Sequence, residues 1–109
     1  MVKAGALRKR YIACRIHPAD GTANESEIKK GIYNEALKFF GEYLLSYVAL
    51  KFVSYKDSIA ILRCNREFYP ETLGFLAMVN YLNGKKVRTI AVATSGTIKA
   101  LERKLSPSS

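Results

Sequence analysis

Residues 47–64 read YVALKFVSYKDSIAILRC. Two runs rich in β-branched and aromatic residues, 47–55 and 58–64, flank Lys56 and Asp57, which suit a tight turn. The stretch therefore predicts an antiparallel hairpin. Its flanks decide the topology. Upstream, residues 11–16 (YIACRI) read as a strand that His17 and Pro18 end. Asn24, with Glu25 and Glu27 behind it, opens a helix that places Ile28, Ile32, Ala36, Phe39 and Phe40 on one face. Gly41 is expected to close that helix, with residues 42–46 adding one further turn. Downstream, Pro70 and Glu71 start a second helix, which Asn83-Gly84 is expected to end. Residues 86–93 follow as a fourth strand, and a last helix runs to about residue 105.

This order predicts an α+β sandwich with a split β-α-β core. The antiparallel sheet has four strands in the order 4-1-3-2, with an extra C-terminal helix. Right-handed crossovers put the first two helices on one sheet face. Strand alternation assigns Ile12, Cys14, Ile16, Leu50, Phe52, Leu62 and Ala91 to that covered face. The outer face is expected to mix Arg15, Lys51, Arg63 and Arg88 with apolar groups, partly under Ile98, Leu101 and Leu105 of the last helix.

The chain has 109 residues, which suits one domain spanning 1–109 with an ordered core of about 8–105 and flexible ends at 1–7 and 106–109. At 49% hydrophobic it can build a single core. Eighteen Lys and Arg against nine Asp and Glu leave a formal charge of +9, which favours a polyanionic partner. No run approaches the roughly 20 apolar residues of a membrane span, so no membrane partner is expected. Residues 1–7 lack the apolar centre of a signal peptide, and a cytoplasmic location is expected. Cys14 and Cys64 have no metal-binding spacing, and Cys14 reads as a buried reduced thiol.

The topology brings three distant segments to one end of the sheet. These are Arg8, Lys9 and Arg10 at the start of the first strand, then Arg63, Asn65 and Arg66 after the third. The third is Ser95-Gly96-Thr97-Ile98-Lys99-Ala100-Leu101, after the fourth. In that last segment Thr94 or Ser95 is expected to cap the helix, Gly96 to permit a close backbone approach, and the helix start with Lys99 to favour phosphate. The convergence reads as a phosphate-binding end, against the plainer reading of a solvated basic rim. The second helix carries two apolar stripes, and Phe75, Met78, Val79 and Leu82 form the one expected either to meet the first helix or to bind a protein partner. His17 is the single histidine, so neither a metal cluster nor a Ser/His/Asp set can be assembled, and no P-loop occurs. No catalytic residue and no cofactor of the chain's own is expected.

Three motifs together carry a resemblance: Arg10-Tyr11-Ile12, Arg63-Cys64-Asn65-Arg66-Glu67, and the segment from Ser95 to Leu101 quoted above. In this order the chain resembles the archaeal ribonuclease P protein component 2 family from about residue 8 to 105. The resemblance implies a ferredoxin-like, RNA-recognition-motif-like fold and a non-catalytic role in maturing the 5′ end of precursor tRNA. It implies that the ribonuclease P RNA cuts, with magnesium on that RNA. It implies protein component 3 and the other ribonuclease P protein subunits as partners. Carried over by motif, Arg10, Arg63, Asn65, Arg66, Ser95, Gly96, Thr97 and Lys99 are the RNA contacts, with Arg8 and Lys9 beside them. The third strand lacks the aromatic on which ordinary RNA-recognition motifs stack bases, so shape and phosphate recognition are expected instead. A small-molecule-sensing domain of the same topology and a general RNA-binding or ribosomal protein are the competing readings.

Overall fold

Asn24 starts the first helix by a reciprocal cap. Its side chain accepts from the Glu27 backbone N–H at 2.9 Å, and the Glu27 carboxylate accepts from the Asn24 N–H at 3.1 Å. The computed structural model describes residues 8–105, so the expected flexible ends lie outside the described residues. In chain order the elements are β1 (Lys9–Pro18), α1 (Glu25–Val48), β2 (Lys51–Lys56) and β3 (Ile59–Asn65). A 3-10 turn (Arg66–Phe68), α2 (Tyr69–Met78), β4 (Tyr81–Leu82), β5 (Lys85–Ser95) and α3 (Ile98–Leu105) complete the chain. The sheet order is β2-β3-β1-β5-β4, with antiparallel pairing throughout. Four of these strands reproduce the expected 4-1-3-2 order. The fifth is new.

The difference arises at Asn83-Gly84. Both residues have positive φ, 54° and 79°, and form a two-residue hairpin turn between β4 and β5 rather than a helix cap. Helix α2 therefore stops at Met78. Leu82 turns inward onto α1, where a Cβ built on Gly31 would lie 2.9 Å from the Leu82 Cβ. Asn83 Nδ2 donates to the Glu27 carbonyl at 2.9 Å and holds the hairpin against the helix.

Helix α1 also runs further than expected. Gly41 breaks it with φ 80° and ψ 161°, but the helix resumes to Val48 and ends at Ala49 in the left-handed region. Strand β2 consequently begins at Lys51 instead of residue 47. The chain after the break keeps a core contact because Val48 is fully buried.

One face of the sheet carries the main core: Ile12, Cys14, Ile16, Phe52 and Leu62 from the strands meet Ile28, Ile32, Ala36 and Phe40 of α1 and Phe75 and Leu76 of α2. Leu50 is half-buried beside it, and Ala91 is exposed, unlike its expected place in the core. On the other face Leu101 of α3 fills a smaller cluster with Ala13 and Ile61, flanked by Ile98 and Leu105. The cysteines are both buried and unbridged. Burial pushes the Cys14 thiol from 9.0 up to about 12, with the Ile90 backbone pulling slightly the other way. Burial also raises Cys64, against the Thr72 hydroxyl and the Lys9 and Arg10 charges.

Two outcomes follow for stability. Gly31→Ala gains helix propensity of about 1 kcal/mol but crowds Leu82, and overpacking costs about 1–3 kcal/mol. Thermal or urea unfolding will show a net loss; a raised melting temperature contradicts the packing. Below pH 9 the neutral Cys14 thiol costs neither state a proton. From there to about pH 12 the unfolded chain ionises and the folded one does not, so stability falls. Relative to its own value at pH 7, Cys14→Ala will lose less stability across that window in alkaline denaturant titrations.

Candidate nucleic-acid interface

Strand register assembles the basic end. Lys9 lies opposite Asn65, Arg10 opposite Cys64, and Tyr11 opposite both Arg63 and Ser95. The three segments therefore meet across a single strand start. Arg8, Lys9, Arg10, Tyr11, Arg66, Gly96, Thr97 and Ile98 line an open groove of about 560 Å³ there.

Each cation is placed by a different contact. Lys9 Nζ donates to Asn65 Oδ1 at 2.7 Å, and Asn65 Nδ2 donates to the Tyr47 carbonyl at 2.7 Å. The Arg10 guanidinium lies 5.1 Å over the Tyr69 ring and donates to Thr94 Oγ1 at 3.5 Å. Tyr69 donates its hydroxyl to the same Thr94 oxygen at 3.1 Å, which fixes the ring under the cation. The Arg66 N–H donates to the Arg8 carbonyl at 3.4 Å and ties the 3-10 turn to the start of β1. Among the described residues the ion pair formed is Glu35–Lys38, on α1, and it involves none of Arg8, Lys9, Arg10, Arg63, Arg66 or Lys99.

The turn into α3 differs from the expected cap. Ser95 is still in the β5 ladder and buried, while Thr97 is the cap: its Oγ1 accepts from the Ala100 N–H at 3.1 Å and its carbonyl from the Leu101 N–H at 3.1 Å. Ser95 Oγ accepts from the Thr97 N–H at 3.4 Å and shapes the turn. The Ile98 and Lys99 amides have no acceptor within the helix. The only described atom within 4 Å of a Cβ on Gly96 is Arg10 Nη1 at 3.9 Å, so it is a guanidinium and not a backbone that approaches this glycine. Lys104 Nζ donates to the Thr94 carbonyl at 2.6 Å and pins the far turn of α3 to the same strand.

Of the expected contact residues, Arg8, Lys9, Arg10, Arg66, Gly96 and Thr97 line the groove, and Asn65 joins through Lys9. Ser95 is buried in the β5 ladder and does not line the groove. Arg63 stands one register away on the outer face, half-buried, with its Nε buried and unpartnered. Lys99 is exposed on the first turn of α3, outside the groove lining. The sequence linked neither Tyr69 nor Thr94, expected only as a candidate helix cap, to Arg10, which both orient. They lie 25 residues apart, and no local pattern links them.

The apolar stripe of the second helix is not a surface. Phe75, Val79 and Leu82 are buried in the main core, because the chain leaves the helix at Met78 and α1 packs over Phe75, with the Phe39 and Phe40 rings 5.4 and 5.6 Å away. Met78 alone of the four is exposed. Beside it, Glu35, Lys38, Phe39, Phe75, Met78 and Val79 line a shallow groove of about 190 Å³. Among the described residues no group of His, Cys, Asp or Glu could hold a metal ion, and no helix is long and apolar enough to cross a membrane.

The fold and this end define a ferredoxin-like α+β protein with a cationic groove at one end of its sheet. Residues 10–106 match the Rpp14/Pop5 family, and the chain belongs to it. It is similar to proteins named ribonuclease P protein component 2. That of Pyrococcus horikoshii is 36% identical over 100 residues, covering 89% of this chain and 82% of the relative. That of Archaeoglobus fulgidus is 31% identical over 97 residues, covering 89% and 87%. A chain in a cryo-EM structure of yeast ribonuclease MRP shares the fold, with a TM-score of 0.67 at 13% identity over 83% of this chain and 75% of that one.

Because Thr97 caps α3 at the groove, Thr97→Ala will cost about 1 kcal/mol of stability. Amide hydrogen exchange will accelerate in residues 98–105 first. Unchanged protection there would contradict the cap.

Proposed function

We infer that the chain is a protein subunit of ribonuclease P and works there without a catalytic site of its own. The observation that carries this reading is the meeting of Arg8, Lys9, Arg10 and Arg66 with the Gly96-Thr97 turn in one groove, in a chain of the Rpp14/Pop5 family. Phosphate oxygens accept from guanidinium and ammonium groups and from helix-start amides, and all three donor types are present. Such contacts position an RNA without reading its bases.

The RNA in this reading is the ribonuclease P RNA. It hydrolyses the phosphodiester bond that joins the 5′ leader to precursor tRNA, using magnesium bound to the RNA itself. The part of this chain is electrostatic. Fixed positive charge against the RNA backbone offsets phosphate repulsion and favours the compact catalytic fold at lower magnesium. The companion protein component 3 docks, in this proposal, on the Phe39 and Met78 groove, where exposed apolar area remains after α2 has buried its own stripe. Other protein subunits and the precursor tRNA complete the particle.

Reconstitution of the particle from its RNA and proteins tests the proposal. Replacing the groove cations Arg8, Arg10 and Arg66 together by Ala will weaken RNA binding and raise the magnesium needed for cleavage. The salt slope of log binding constant will flatten by about 0.7–0.9 for each phosphate that is no longer neutralised. Unchanged cleavage across a magnesium titration overturns the reading.

A further inference from the structure

The break at Gly41 turns the last segment of α1, residues 42–48, into a short piece anchored by Val48 and Leu45 in the core. Its other side carries Tyr43 and Tyr47, 77% and 51% exposed, although both are large aromatics. Neither belongs to a core cluster of this chain. The two rings are nevertheless ordered against each other. Their centroids lie 5.2 Å apart at 73°, and their hydroxyls are 3.4 Å apart, within hydrogen-bond range. The result is an L-shaped aromatic pair in solvent.

The pair is coupled to the cationic groove. The Tyr47 carbonyl accepts from Asn65 Nδ2, and Asn65 Oδ1 accepts from Lys9 Nζ, so two hydrogen bonds of 2.7 Å separate this segment from a groove cation. We propose that Tyr43 and Tyr47 form a stacking site for an unpaired nucleobase of the RNA held by the groove. This rests on the proposed RNA-binding function and adds the kind of RNA recognised, a single-stranded element.

Three observations favour a base over a protein side. An exposed aromatic pair whose backbone is two hydrogen bonds from Lys9 matches a nucleotide, which carries a flat π-face and a phosphate together. The ordinary location for base stacking is poorly equipped, because β3 (Ile59–Asn65) has no aromatic and Leu101 of α3 covers the outer face around Ala13 and Ile61. The apolar groove suited to protein docking lies elsewhere, around Phe39 and Met78. Inside a duplex the base faces are already stacked on each other, so only its two end pairs present an open face to the tyrosines.

Fluorescence anisotropy with the full chain separates the cases, using a 12-nucleotide oligouridylate and a 12-base-pair RNA duplex as probes. Tyr43→Leu with Tyr47→Leu is expected to weaken oligouridylate binding about tenfold and to leave duplex binding within about twofold. Tyr43→Phe with Tyr47→Phe, which keeps the rings, is expected to bind as the unaltered chain. The chain has no tryptophan, so the part of the oligouridylate quenching of tyrosine emission that the leucine variant loses reports the contact. Equal oligouridylate affinity in the leucine variant overturns the stacking site, as does an equal loss for both probes. Arg10→Ala and Arg66→Ala are measured alongside. If these lose affinity while the leucine variant does not, stacking fails and the RNA-binding function stands. If no arginine variant loses affinity, the function fails as well.

Discussion

The structure depends on β1 being paired on both edges. Its Lys9–Pro18 run is hydrogen-bonded to β3 on one side and β5 on the other, and these are the most extensive pairings in the sheet. A central strand has no free backbone edge, so its register is fixed by both neighbours at once. The start of β1 therefore dictates what stands opposite: Asn65 and Arg63 from one partner, Ser95 from the other. A one-residue slip would bury Arg15 and expose Cys14. It would also dissolve the groove, because Arg8, Lys9 and Arg10 would no longer face Arg66 and Thr97.

That constraint explains how much of the site could be read from sequence. The alternation of 11–16 and the hairpin of 47–64 fix which strands flank the first one, and the cationic end follows from topology without any side-chain detail. The supports of the groove follow less readily. Arg10 is held by Tyr69 and Thr94, which belong to a helix and to another strand, and only packing in three dimensions brings them together. By residue type Thr94 and Ser95 are the expected caps, and Ser is if anything a better cap than Thr. The choice falls to Thr97 because Ser95 remains hydrogen-bonded across from Tyr11.

Asn83-Gly84 shows the same ambiguity at the level of the fold. The pair fits a helix end and a hairpin turn alike, and the apolar spacing of Phe75, Met78, Val79 and Leu82 supports the helix. The decision lies in a glycine more than fifty residues upstream. Gly31 leaves the space on α1 that Leu82 enters, and Asn83 finds its acceptor on Glu27. Local propensity is overruled by a contact that no window of sequence contains. The same event removes three of four apolar residues from the surface and leaves the Phe39 and Met78 groove in their place.

The link between β5 and α3 is only Gly96 and Thr97. Two residues span at most about 7 Å, and Lys104 ties the far turn back to Thr94. The helix therefore cannot swing away from the sheet while the strand end stays in place. Leu101 covers part of one sheet face and Thr97 shapes the groove at the end of it, so hydrophobic cover and groove wall move as one rigid lever. A load applied at the groove is carried straight into the sheet, which suits a part whose work is to hold still.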